Sequence, residues 1–481
     1  MANSARAPLG RRLAGALLCA VLLAACEPSD GGSLSAGVTP QPTATTTDSL
    51  VIGLVGSLSG PASWRGEDAF EGAVMSVGDL NRGRAEGAPT IELVSLDDEG
   101  DPDRALELIE QLTESPRTIG IIYAGPPEAL PMAEGALAAA GIPALLCYGD
   151  LYGARKLSAH VFQVSPSYLW ESRTLARYLG RDRGYETVGV IAEDSPDGRT
   201  AVDTLRQEVD RAGLRLKRAA TYAPAESNFA DAITTLRDAQ VEALVVQGNP
   251  NEVAGILGAL RSEGVRYTGT DDARIDSAPR SQRRNRRASG YWRPQILGFD
   301  LAISNVTDQS IPVGMVASDT YARGAHYLPV PSFTRFADAF EAWWDQAPTG
   351  WELRAFDAVQ MIGWAHKRAG DDQDLGPVLE RLDDKRFGGL PVTLGPDDHT
   401  SVEQSTVGLW TLPPVSPEFP DPDSFDWVPL ARGFSIDGER TNVLPEDWRY
   451  LFNNPPPRFA PAPRFSKMRY GVISGSRDPI R

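Results

Sequence analysis

The chain has 481 residues, 64 acidic against 47 basic side chains and a formal net charge of −17. At about 150 residues per domain it has room for more than one. The acidity argues against nucleic acid or an anionic membrane surface as partner, since both need clustered positive charge. After residue 26 no stretch approaches the roughly 20 consecutive apolar residues of a spanning helix.

The first element is an export signal. Arg11 and Arg12 precede an apolar run at 13–23 that is too short to cross a bilayer, and Leu23-Ala24-Ala25 leads into Cys26. This end resembles the lipobox of bacterial lipoproteins, which implies removal of residues 1–25 and acylation of Cys26. Two or more acyl chains anchor stably where one is marginal. An ordinary cleaved signal with an incidental cysteine is the alternative, and the paired arginines are a weak hint of twin-arginine export. With Cys19 lost and Cys26 acylated, Cys147 is alone and no intrachain disulfide is available. Residues 27–49, rich in Ser, Thr, Gly and Pro, cannot bury enough surface to offset their ordering entropy. We read 26–49 as lipidated cysteine and flexible tether.

From Leu50 short apolar strands alternate with amphipathic helices. Strand runs at 51–55, 91–96, 119–123 and 144–147 are separated by helical patterns containing Phe70, Ala73 and Val77, then from Asp103, then from Glu128. A second series follows the strand at 161–164: helices from Trp170, Arg199, Phe229 and Glu252 alternate with strands at 188–192, 216–222, 241–246 and 296–297. Repeated βα units predict mostly parallel sheets with helices on both faces, here as two doubly wound lobes. Later come a strand at 313–317, a helix face of Phe333, Phe336, Phe340 and Trp344, and a helix carrying Phe356, Val359 and Ile362. The arginine-containing stretch 266–293 reads as a solvated insertion in preference to a docking patch. The Pro-rich stretch 413–481, with Trp427, Trp448, Tyr450 and Phe452, reads as an irregular extension lying on the body.

In open α/β sheets ligands bind beyond the carboxyl ends of strands, so a two-lobed chain should bind between its lobes. That rule nominates 57–65, 125–129, 148–150, 193–197, 247–251, Phe299 and Asp300. Taken singly, each is equally a helix cap or turn residue. The signal is the cluster of aromatics, carboxylates and amides.

Residues 50–81, with Gly60-Pro61, Gly66-Glu67-Asp68 and a helix ending Asp79-Leu80-Asn81, resemble the opening of the leucine/isoleucine/valine-binding family of type I periplasmic binding proteins. Residues 122–143, 194–198 and Arg354-Ala355-Phe356-Asp357-Ala358 fit the same family in order, so the resemblance covers about 50–412. It implies two α/β lobes joined by three hinge strands: lobe 1 at 50–163 with 320–388, and lobe 2 at 164–319 with 389–412. It further implies a monomer that delivers a small polar solute, such as an amino acid or amide, to the permease of an ABC importer. It implies an extracytoplasmic location, no cofactor and no enzyme activity.

Carried over position by position, the resemblance puts Glu128 and Ala129 where hydroxyl residues usually hold a ligand carboxylate, and Asp150 where another hydroxyl is expected. Arg65, with Trp64 beside it, falls on an aromatic position, while Asp197 and Asn249 fall on tyrosine positions. Tyr148 lies at the end of its strand, Asp300 matches the acid that holds a ligand ammonium, and Phe356 matches an aromatic wall. Carboxylates where a substrate carboxylate should dock would repel it, and burying them unpaired costs several kcal/mol, of order 3–5. Either the ligand is cationic, amide-bearing or hydroxylated, which we favour, or Arg65 neutralises one acid and the anion site lies elsewhere. An enzyme is disfavoured: the chain lacks a phosphate loop with its lysine, a Gly-x-Ser-x-Gly elbow and paired histidines at metal spacing. Glu128 with Asp150 could imitate a glycosidase pair only at a suitable separation. A sensory or recruitment module of the same fold, signalling to a membrane partner, remains the alternative to transport.

Overall fold

The computed structural model describes residues 49–151, 159–224, 226–263, 265, 292–300, 315–320, 331–369, 374–411 and 428–429. Cys26 with its signal and tether, nearly all of the 266–293 insertion and nearly all of the 413–481 extension lie outside these residues.

Lobe 1 is built on β1 (Leu50–Gly56), β2 (Ile91–Asp97), β3 (Thr118–Ala124), β4 (Ala144–Leu146) and β5 (Val161–Gln163), all parallel, in the order β2-β1-β3-β4-β5. Helices α1 (Ser63–Arg82), α2 (Pro102–Thr113) and α3 (Ala129–Ala140) alternate with them. The central strands are continuous apolar runs because helices cover both faces. Gly53 admits α2, since a Cβ there would lie 2.4 Å from Leu112 Cδ1.

Lobe 2 repeats the order with β6 (Thr187–Glu193), β7 (Arg215–Tyr222), β8 (Ala243–Val246), β9 (Gln295–Gly298) and β10 (Val316–Thr320). Its helices are α4 (Tyr168–Arg177), α5 (Pro196–Arg211), α6 (Ala230–Ala239) and α7 (Pro250–Ser262). The expected parallel sheet is extended on one side by antiparallel strands that patterning did not reveal, β13 (Val407–Thr411) against β10 and β14 (Val428–Pro429) against β13. In both sheets the order reverses at the first strand, which makes the carboxyl ends of β1/β3 and β6/β8 the natural crevices.

Two later helices, α8 (Pro331–Trp344) and α9 (Trp351–Ala369), precede the short α10 (Gly376–Leu379) and the hairpin β11 (Lys385–Arg386)–β12 (Pro391–Val392). Helix α9 packs along α1 so closely that a Cβ at Gly72 would meet the Glu352 carbonyl oxygen at 1.9 Å, and Ser76 Oγ donates to the Phe356 carbonyl at 2.8 Å. Helix α8 does not pack on lobe 1 alone. Phe333, Phe336 and Phe340 of α8 join a core that contains Leu244, Val246 and Ile256 of lobe 2 as well as Phe356 and Met75. An apolar stripe of large rings can reach both lobes at once. Chain crossings pair where Gln163 N–H donates to the His399 carbonyl at 2.9 Å and Ser401 N–H donates to the Gln163 carbonyl at 2.9 Å.

Candidate functional site

At the carboxyl end of lobe 1, three aromatic rings pack together. Tyr148, just past β4, stacks on Trp351 at 4.9 Å and 9°, and Trp64 at the start of α1 meets both edge-on at 5.6 and 5.7 Å. Tyr148 and Trp351 are fully buried. Trp64 Nε1, Tyr148 Oη, Trp351 Nε1 and the Nε of Arg65 are buried without a hydrogen-bond partner. Such orphaned groups cost about 1–3 kcal/mol each, so a cluster of them is a place that gains from a bound partner. Arg65 lies 5.4 Å from the Trp64 ring centroid.

Lobe 2 answers with Asp197, the second residue of α5. Asp197 accepts from Tyr168 Oη at 2.7 Å and from Gln247 Nε2 at 3.3 Å, and its other oxygen accepts from the Asp150 N–H of lobe 1 at 3.3 Å. Asp150 in turn accepts from Ser167 Oγ at 3.1 Å and Tyr168 N–H at 2.8 Å. Burial first, with the Asp197 charge adding to it, pushes the Asp150 carboxyl up to about 7 against its hydrogen bonds. Burial also raises Asp197, and the nearby Arg65 charge opposes that rise. Half-buried Glu128 raises Asp197 further and faces Tyr123, whose hydroxyl donates to the Pro126 carbonyl at 2.7 Å. The two lobes thus meet where the Asp150 N–H bonds Asp197, with the charges of Arg65 and Glu128 near enough to act on that carboxyl. Gly149 permits this approach: its φ is +80°, and a Cβ there would lie 2.5 Å from Pro127 and 3.4 Å from Asp197 Oδ1.

Four sequence candidates do other work. Asp300 is not an open anion for a ligand cation, because Arg354 Nη1 holds it at 3.1 Å while Nη2 holds Asp319 at 3.0 Å, all three side chains buried. Burial works against the Arg354 charge, but Asp300 and Asp319 outweigh it and raise the guanidinium. Glu171 joins this cluster, accepting from Asp300 N–H and Ser318 Oγ; burial and the Asp300 charge raise its carboxyl well above the usual range. Phe356 faces the interior against Phe336 at 5.3 Å, and Trp351, on the other side of α9, is the ring that reaches Trp64. Ala129 is fully buried in the lobe 1 core, its N–H turned back to the Pro126 carbonyl. Asn249 is the N-cap of α7 in a capping box with Glu252, its Oδ1 accepting from Asn251 and Glu252 N–H at 3.0 Å.

Sequence reading missed Tyr168, Gln247's bond to Asp197, Trp351 and Arg354. Tyr168 falls just before the helix read from Trp170; Ser167, a ready N-cap, is the signal that would have included it. Trp351 opens α9 after Gly350, whose φ of +95° marks the turn into the helix.

The site has no array for bond-making chemistry. Cys147 is fully buried and its thiol is pushed up to about 12 by burial, which leaves it unreactive. Among the described residues no group of His, Cys, Asp and Glu could hold a metal ion.

Comparison with known proteins fits this geometry. Residues 49–281 match the family model described as periplasmic binding protein. Over that region, just under half of the chain, the sequence is similar to the periplasmic binding protein family. Members of this family bind solutes and are not enzymes. A type 1 periplasmic binding protein from Bordetella pertussis shares the fold at TM-score 0.65 and 18% identity, covering 80% of this chain and all of that one (100%). The branched-chain amino acid transporter substrate binding protein of Streptococcus pneumoniae, solved with isoleucine, superposes at 0.62 with 16% identity over 79% of this chain and 99% of its own. A solute binding protein of an ABC transporter from Rhodopseudomonas palustris, solved with 3,4-dihydroxybenzoic acid, superposes at 0.61 with 16% identity over 77% and 94%. No curated protein sequence matches the chain. The architecture is that of the type I periplasmic binding proteins.

Proposed function

We propose that this protein is an extracytoplasmic receptor, held to the membrane through acylated Cys26, that closes its lobes on a small solute and presents it as a monomer to the permease of an ABC importer. The ligand class is a small molecule with an amine, amide or hydroxyl donor and an apolar or aromatic body. The observation that carries the reading is the cluster of buried, partnerless polar atoms on Trp64, Tyr148 and Arg65, of which Arg65 is also close enough for its charge to act on Asp197. A donor on the ligand would satisfy Asp197 and Glu128, its body would lie on Trp64, and any carboxylate on it would need Arg65 as counter-charge. Proteins of this fold solved with isoleucine and with hydroxylated benzoates span that class. Binding is then differential affinity: the solute touches both lobes only when they are closed, and the open/closed population moves by that difference.

The test is a thermal-shift screen of the protein against amino acids, amides, polyamines and hydroxybenzoates. A ligand at 100 times its Kd adds about 2.7 kcal/mol, a shift of a few degrees at this size. Trp64→Ala should keep the unliganded melting temperature within a few degrees yet weaken the hit by more than about tenfold, since a stacked ring contributes roughly 1–3 kcal/mol. A hit unaffected by Trp64→Ala would remove Trp64 from the site.

A further inference from the structure

The acidity of the whole chain hides one local exception. Arg368 near the end of α9, Arg381 after α10, and Lys385 and Arg386 of β11 line a pocket of about 620 Å³ together with Trp364 and Leu382. Arg368 lies 4.6 Å above the Trp364 ring, and Lys385 lies 5.1 Å from the Phe387 ring. Arg368, Arg381 and Lys385 make no ion pair among the described residues. Asp383 and Asp384 also line the pocket, so its four cations stand against two carboxylates.

Its position in the fold is informative. The strands of lobe 1 are parallel, so their amino ends share one pole and their carboxyl ends, with the cleft, share the other. Helix α9 runs along α1 from Glu352, against Gly72, to Gly363, against Leu80, and Ile362 packs on Gly120 near the start of β3. Leu50 and Trp364 both pack on the lobe 1 core. The pocket therefore lies at the pole where the chain enters lobe 1 from residues 27–49, opposite the cleft.

We propose that this pocket binds the phosphate of an anionic phospholipid headgroup, holding the anchored protein by its tether pole in a waiting pose that it leaves to engage the permease. That the membrane is within reach rests on acylation of Cys26. Arginine forks match phosphate oxygens in pairs, and flanking rings fix the guanidinium and ammonium groups. The net charge of −17 does not oppose this contact as a whole. Charges more than about 8 Å from the surface are screened at physiological ionic strength, so the cations nearest the headgroups dominate. The acidity excludes a broad electrostatic footprint, not a single headgroup pocket.

The test uses the full chain carrying Cys26→Ser, mixed with phosphatidylcholine vesicles or with vesicles containing phosphatidylglycerol, at low and high salt. It is compared with the same chain also carrying Arg368→Glu, Arg381→Glu and Lys385→Glu. The signal segment is common to both chains and cancels in the comparison. The expected result is a preference for anionic vesicles of more than about tenfold, lost in the charge-reversed chain and at high salt, with thermal unfolding unchanged. Equal binding of the two chains to anionic vesicles overturns the proposal. So does stabilisation of the parent chain by glycerol phosphate without any vesicle preference, which would make a free phosphate ester the ligand. Cell fractionation of the Cys26→Ser chain reads the anchor separately: retention on membranes defeats acylation, and the vesicle comparison still decides the pocket.

Discussion

At the hinge, Asp300 and Asp319 share the guanidinium of Arg354; at the cleft, Asp150 and Asp197 are held by two hydroxyls, backbone N–H groups and the Gln247 amide. Both sets are buried, yet only the first has a cation of its own chain within hydrogen-bond reach. In the hinge cluster both acids already have a counter-charge from their own chain, with Trp351 4.0 Å beneath the guanidinium. The cleft cluster keeps its carboxyls raised by burial, with Arg65 near enough to act on Asp197 but not to bond it. Buried acids held by neutral donors are the ones whose charge a ligand can still change.

The sharpest way to break the comparison is Arg354→Met. It leaves Asp300 and Asp319 buried without their counter-charge, a change that costs about 3–5 kcal/mol in comparable sites. Urea unfolding should show this loss, and the loss should shrink in acid, where the orphaned carboxyls can protonate. A cost under about 1 kcal/mol would mean that the hinge acids are already neutral and the two clusters are not different in kind.

The contrast between these clusters also marks how far the sequence could be read. Apolar runs and turn residues were enough to place every parallel strand from β1 to β9, the central ones because strands covered on both faces are apolar throughout and the edge strands β2 and β7 from their partial alternation. Strand β10 was read too early, at 313–317, because Ser318, Asp319 and Thr320 look like loop; the partners of Ser318 and Asp319, Glu171 and Arg354, lie far along the chain. The same blindness hid the partner of Asp300. Its position at a strand end was legible, but its partner lies 54 residues away on another element, and no local pattern announces a long-range ion pair. Asn249 poses a different problem. A residue after a strand and before a helix is in the right place for both a ligand and a cap, and Asn249-Pro250 with Glu252 three residues on was already a capping signature.

A smaller effect separates the clusters by pH. A carboxyl raised to about 7 in the folded state binds its proton more tightly there than in the unfolded chain, so its contribution is fully present below about pH 4 and is lost as pH rises through about 7. For Asp150 this amounts to no more than about 4 kcal/mol. Asp150→Asn removes that term, so the fall in melting temperature between pH 5 and pH 8 should be less steep in the variant. Asp357, also raised to about 7 by burial, keeps part of the slope. Identical slopes in the two proteins would mean that Asp150 is ionised in the folded state without cost, and that a cation reaches it.

The smallest effect belongs to Asn249→Ala, and it is the one that best distinguishes a strand-end residue that caps from one that faces the cleft. Losing an N-cap costs about 1 kcal/mol. Glu252 would keep its bonds to Asn249 N–H, at 2.9 Å, and to the Tyr222 hydroxyl, at 3.0 Å, so the capping box is only half removed. Ligand affinity should stay within about twofold, because the side chain of Asn249 is spent on the first turn of α7. Two residues earlier, Gln247 donates to Asp197 and accepts from Glu193 N–H, so Gln247→Ala should alter affinity even where its cost in stability is similar. If Asn249→Ala instead weakened binding by tenfold or more, α7 would have to shift on closure. Its N-terminus would then be part of the cleft, as the sequence first suggested.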